Sequence, residues 1–155
     1  MVAIVPPQIE YASIKGVAMR RFFVGLIAAI GGLIGGNILG IVLMYFWQLG
    51  GANFHNPGGI ILGFAQAMIG VHICAYLCAI MKQADIAQEV MKIVGVVEIA
   101  ITLGIVVLVA ALPIRDRVFS ELNWGTFWEA LSAIAGIAPW IGYGYFVEKK
   151  ATDYA

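Results

Sequence analysis

The chain has 155 residues, 62% of them hydrophobic and 12% charged, with nine basic and nine acidic side chains and no formal net charge. A water-soluble domain carries about twice that charged fraction, and a balanced charge gives none of the electrostatic footprint of a nucleic-acid binder. The surplus of apolar residues needs a non-aqueous neighbour, and a lipid bilayer is the first partner it implies.

Residues 1–21 read as an arm ahead of the first long apolar run. Pro6 and Pro7 keep its start from being helical, and residues 8–19 suit an amphipathic helix lying on a membrane surface. The first span is expected over 22–49, directly after Arg20 and Arg21. It closes on MYFWQLGG, where Tyr45 and Trp47 suit the interfacial belt. This run is about twice the length of a signal-peptide apolar region and ends without a small-residue cleavage site, so it is expected to remain in the protein.

The second span is expected over 57–81, stopping at Lys82, and the third over 93–112, between Lys92 and the PIRDR that begins at Pro113. The fourth is expected over 124–147, ahead of EKK, leaving 148–155 as a cytoplasmic tail. A hydrocarbon core about 30 Å thick takes about 20 residues of helix, which each segment supplies. The expected fold is an all-α integral membrane protein: four transmembrane helices over 22–147 in a compact bundle, short loops and an N-terminal amphipathic arm. Four crossings put both termini on one side of the membrane. Lys15, Arg20, Arg21, Lys82, Lys92, Lys149 and Lys150 share that side, against Arg115 and Arg117 on the other, so the termini are predicted to be cytoplasmic.

The first span contains IGGLIGGNILG, residues 30–40, an unusual density of glycine for a helix. At helical spacing Gly25, Ala29, Gly32, Gly36 and Gly40 fall on one face. The second span repeats the device with Gly59, Gly63, Gln66, Gly70 and Cys74. The third places Gly95, Glu98 and Thr102 in line, and the fourth Glu129, Ser132, Gly136, Pro139 and Tyr143. Helices in lipid gain nothing from hiding apolar surface from water, so they associate through close backbone approach, which small residues permit. Asn37 and Gln66 each lie about 24 Å from their basic helix ends at 1.5 Å per residue. They are expected to hydrogen-bond across the first two spans, chiefly as interhelical glue worth on the order of 1 kcal/mol, with a substrate-binding amide pair as the rarer alternative.

Three polar groups raise the question of chemistry. Glu98 lies about 9 Å inside the boundary marked by Lys92, where it could pass protons, contact a cation or polar head group, or lock the bundle as a hydrogen-bonded carboxyl. His72 lies about 15 Å from Lys82, about 200° around the helix from the glycine line and alongside Met68 and Tyr76. A histidine facing away from its own bundle calls for a partner subunit or a cofactor at a subunit boundary. Haem or a quinone held by His72 and Tyr76 is one answer, and plain helix contact the commoner one. A bis-histidine haem would need a second chain, because His55 falls at the opposite surface. Glu129, five residues past Trp124, reads as an acid favoured by a helix N-terminus. His55 with Asn53 and Asn56 reads as a polar loop cap. Cys74 and Cys78, one turn apart, read as small apolar residues; no metal-ligand set accompanies them, and no nucleophile, phosphate-loop or paired-carboxylate signature marks a catalytic residue.

Three functions follow from these residues. The chain is expected first as a small integral subunit of a larger membrane complex, respiratory or otherwise moving electrons or protons, with a structural or cofactor-supporting role and in contact with other integral subunits. The alternative is a homo-oligomeric transporter or channel for a small solute or ion, using Glu98 and the Asn37/Gln66 pair with Thr102. The third is a redox anchor that holds a cofactor through His72.

Overall fold

The computed structural model describes residues 7–48, 55–111 and 123–146, which fold as helices, with no strand among them. Three helices are long and apolar enough to cross a membrane, over Gly16–Phe46, Gly58–Ile80 and Ala84–Leu108. A fourth, shorter helix packs beside them. Arg115, Arg117, Asn53, Lys149, Lys150 and the 148–155 tail lie outside the described residues.

Helix α1 runs from Pro7 to Gln48. Its first residue is a proline, which suits a helix start because the missing N–H would have no intrahelical partner there. The surface arm and first span expected as separate pieces are here continuous helix. Gly16, the weakest helix former near the junction, lowers helix stability by only about 1 kcal/mol and does not break it.

Helix α2 spans Gly58–Ile80, with the Asn56 side chain accepting the Gly58 N–H at 2.9 Å. It ends in a Schellman turn: Lys82 takes φ 56°, its N–H reaches the Ala79 carbonyl at 3.0 Å, and the Gln83 N–H reaches the Cys78 carbonyl at 2.9 Å. A 3₁₀ turn, Ala84–Ile86, leads directly into α3, Ala87–Ala111. The third helix thus starts ahead of Lys92, which was expected to mark its boundary. Lys92 is accommodated inside the helix because its aliphatic stem packs against Gly144, and its ammonium lies 5.3 Å from the Tyr145 ring centre.

Helix α4 spans Trp124–Ile141 and continues as a π-helical segment, Gly142–Phe146. Asn123 and Thr126 form a reciprocal capping box at its start. Near its end Pro139 removes one helical N–H and crowds the preceding turn. The Gly142 N–H then faces the Ala138 and Pro139 carbonyls as the helix widens.

The glycines fix how these helices meet. A methyl group at Gly32 would lie 2.7 Å from the Gly70 carbonyl oxygen, and one at Gly70 would lie 2.9 Å from that of Gly32. Backbone therefore touches backbone between α1 and α2, and Gly36 and Gly40 extend the seam against Gln66. Gly63 continues it on the other flank of α2, where any side chain would overlap the Ser132 carbonyl of α4. Gly25 faces Val90 of α3 instead of α2. A second glycine pair, Gly31 and Gly35, receives the side chains of Leu77 and Ile73. Gly59 is buried.

These contacts order the bundle. α2 runs between α1 and α4, and α3 leans on α4 through Gly95 against Ile141 and Lys92 against Gly144. The starts of α1 and α3 and the ends of α2 and α4 gather at one end, which carries Arg21, Lys82, Asp85 and Lys92. The opposite end carries His55. The apolar core lies toward the basic end: Val24 and Ala28, Val71, Cys74 and Cys78, Val90 and Val94, with Trp140 at 2% exposure. Arg21 pairs with Asp85 there, both about half exposed. Cys74 and Cys78 are free thiols buried in that core.

Candidate functional site: a polar cavity between the helices

Toward the His55 end the same helices stop filling the space between them and line an open-sided cavity of about 530 Å³. Gly36 of α1, Gly63 of α2 and Gly136 of α4 line it; at Gly36 and Gly63 the neighbouring helix backbone occupies the place of a side chain, whereas a methyl at Gly136 would meet nothing closer than the Gly63 carbonyl at 3.7 Å. Apolar walls come from Leu33, Ala67, Ile101 and Ile137, and the indole of Trp140 closes the side facing the core. Into this space the four helices bring Asn37, Gln66, Glu98, Thr102, Glu129 and Ser132.

The hydrogen bonds of these groups set the polarity of the lining. Asn37 Nδ2 donates to the Leu33 carbonyl at 2.7 Å. A carbonyl only accepts, so this bond fixes the order of the Asn37 amide and turns its Oδ1 toward α2. Gln66 Nε2 donates to that oxygen at 2.6 Å, leaving Gln66 Oε1 uncommitted by the pair. Both hydroxyls are turned back on their own helices: Thr102 donates to the Glu98 carbonyl and Ser132 to the Trp128 carbonyl, each at 2.8 Å. With their hydrogens engaged, Thr102 and Ser132 offer lone pairs.

Glu98 Oε2 is buried and has no hydrogen-bond partner among the described residues. A buried polar atom left unpaired costs about 1–3 kcal/mol, so this one marks a place where the fold gives up stability. None of the described lysines or arginines lines the cavity. The Glu98 carboxyl and the oxygen lone pairs of Thr102, Ser132 and Gln66 therefore outnumber the amide N–H donors beside them, and the lining is electronegative around Glu98.

Glu129 is not the helix-terminal acid the sequence suggested. Asn123 caps α4, and Glu129 sits beyond the first turn, where its Oε1 lies 2.9 Å from His55 Nδ1. Its side chain is 46% exposed and also lines the cavity, which makes this pair the rim.

His72 and Tyr76 lie elsewhere. Both are exposed on α2, away from the cavity. His72 Nδ1 is 2.7 Å from the Met68 carbonyl, which again only accepts. The ring proton therefore sits on Nδ1, and a neutral His72 keeps the Nε2 lone pair. The ring meets Tyr143 edge-on with centres 5.8 Å apart, so its neighbour is the π-helical segment, a contact the spacing of α2 could not reveal. Trp140 was also passed over in the sequence, because an aromatic residue near a helix end reads equally well as an interfacial anchor.

Among the described residues no group of three or more His, Cys, Asp or Glu side chains is placed to hold a metal ion. A second, largely apolar groove of about 320 Å³ lies between α1 and α3 near Arg21 and Glu89, with Gly25 in its wall. No protein family, curated protein or solved structure matches the chain.

Proposed function

We propose that this chain is a four-span membrane carrier that binds a small positively charged solute in its central cavity and exchanges it for a proton at Glu98. The carrying observation is the unpaired, buried Oε2 of Glu98 in an electronegative cavity lined by all four helices. An intramembrane carboxyl facing a cavity is the usual mark of an ion or proton path, and a carboxyl that holds either a proton or a cation couples their movements by mutual exclusion. In this reading α4 is the fourth crossing, both termini are cytoplasmic, and His55–Glu129 stands at the outer rim.

Liposomes containing the full chain and an internal pH dye provide the test. Sodium, potassium, ammonium and small organic amines are added outside one at a time, against empty liposomes. At least one should drive a proton flux that Glu98→Gln lowers by about tenfold or more, whereas Arg21→Gln, far from the cavity, should leave it unchanged. If no cation produces a flux that depends on Glu98, the carrier reading fails.

The reading as a subunit of a larger complex draws on a different observation, the exposed His72 with its Nε2 lone pair directed away from Met68. A haem, a quinone or a partner's donor would satisfy that nitrogen. Native mass measurement after mild detergent extraction separates the two: unlike partners in fixed ratio support the subunit, and copies of this chain alone support the carrier. A redox difference spectrum of the same sample tests the haem.

A further inference from the structure

The cavity is specific about what it can hold, and we infer that its ligand is a protonated primary or secondary amine carrying an apolar body. This rests on the reading of the cavity as a solute site and narrows it to a substrate class.

Charge is the first constraint. Glu98 faces a space lined by none of the described lysines or arginines, with Glu129 held by His55 at its rim, so an anion would meet repulsion and the ionised Glu98 would find its counter-charge in a cation. Hydrogen-bond polarity is the second. Thr102 and Ser132 have turned their hydroxyl hydrogens to backbone carbonyls, and the Leu33–Asn37–Gln66 chain is fixed in direction by a carbonyl that can only accept. What these groups offer a guest is largely oxygen, and an ammonium group supplies the N–H donors to match, with the charge-assisted bond going to Glu98 Oε2.

Size and surface supply the third constraint. A bare metal cation needs several oxygens closing on it at about 2.0–2.6 Å, whereas this space is about 530 Å³ and among the described residues no three His, Cys, Asp or Glu side chains are placed to hold a metal ion. That volume falls among cavities that enclose small organic molecules, about 300–1,000 Å³. Leu33, Ala67, Ile101 and Ile137 give the guest apolar walls, and the buried Trp140 indole closes the side toward the core. The ammonium end is therefore placed at Glu98 and the apolar end among the glycine-lined walls.

Equilibrium binding to the purified full chain in detergent tests this with four probes of similar shape: phenethylamine, 2-phenylethanol, 3-phenylpropionate and trimethyl(2-phenylethyl)ammonium. Phenethylamine should bind at least about tenfold more tightly than the alcohol and the carboxylate, and several-fold more tightly than the quaternary ion, which has the charge without N–H donors. Glu98→Gln should weaken phenethylamine by about tenfold while leaving the alcohol unchanged. Comparison of the four probes on the unaltered protein needs no variant, so a poorly folded Glu98→Gln does not obscure the result. Equal affinity for amine and alcohol overturns the inference, as does tightest binding of the quaternary ion. Selective amine binding without flux in liposomes would remove the carrier and keep the amine site; Glu98-dependent flux of sodium or potassium without amine binding would do the reverse.

Discussion

The two ends of this bundle are built from the same four helices and differ in what stands between them. At the basic end the inter-helix space is filled by Val71, Cys74, Cys78, Val90, Val94 and Trp140, all nearly or fully buried. At the His55 end a cavity lined by polar groups takes the place of that packing, and α3 loses its neighbours: Ile101, Leu103, Ile105, Val106, Val107 and Leu108 are all at least 57% exposed. A carboxyl is tolerated inside because the far half of the same helices supplies the packing that holds it in place. Stability and chemistry are thus divided along the length of the helices instead of between separate domains.

The sharpest way to break this comparison is at the Trp140 boundary. Trp140→Ala removes the largest fully buried side chain and joins the cavity to the core. It should cost about 3–5 kcal/mol, read as a shift in unfolding by a harsh detergent in mixed micelles, and a loss under 1 kcal/mol would mean that the core does not depend on it. Gly63→Ala comes next. The added methyl meets the Ser132 backbone of α4, which cannot rotate away as a side chain would, so a loss of about 1–3 kcal/mol is expected. Gly104→Ala, with nothing within 4 Å of the new methyl, should lose no stability and gain up to about 1 kcal/mol from helix propensity, and serves as its control. The smallest effect belongs to the amide pair. A double-mutant cycle on Asn37→Ala and Gln66→Ala should return a coupling of about 1 kcal/mol. Coupling near zero would remove the α1–α2 amide link from the account of the site.

Much of this was legible in the sequence because apolar length and small-residue spacing are local signals. α2 begins and ends within a residue of the 57–81 segment, and α4 starts at Trp124. Asn37 and Gln66, placed at one depth by counting from Arg21 and Lys82, do meet. What stayed hidden depends on contacts made by other helices. The start of α3 was missed because Lys92 reads as a membrane boundary until Gly144 and Tyr145 supply a surface for its stem and charge. Glu129 was read from its place in its own helix, whereas its partner His55 comes from the turn before α2. The cavity was the least legible feature of all. It is made by absences on several helices at once, and a single line of sequence shows which side chains are small, not which of them face the same gap.

The Gly32–Gly70 contact has a mechanical consequence. Because two backbones touch there with no side chain between them, no change of rotamer can slacken the joint, and pulling the helices apart would leave a void that nothing nearby is shaped to fill. Relative motion of α1 and α2 is left with tilting about this point. Such a tilt opens or narrows the groove beside the contact, so this glycine pair acts as the fulcrum between the two helices.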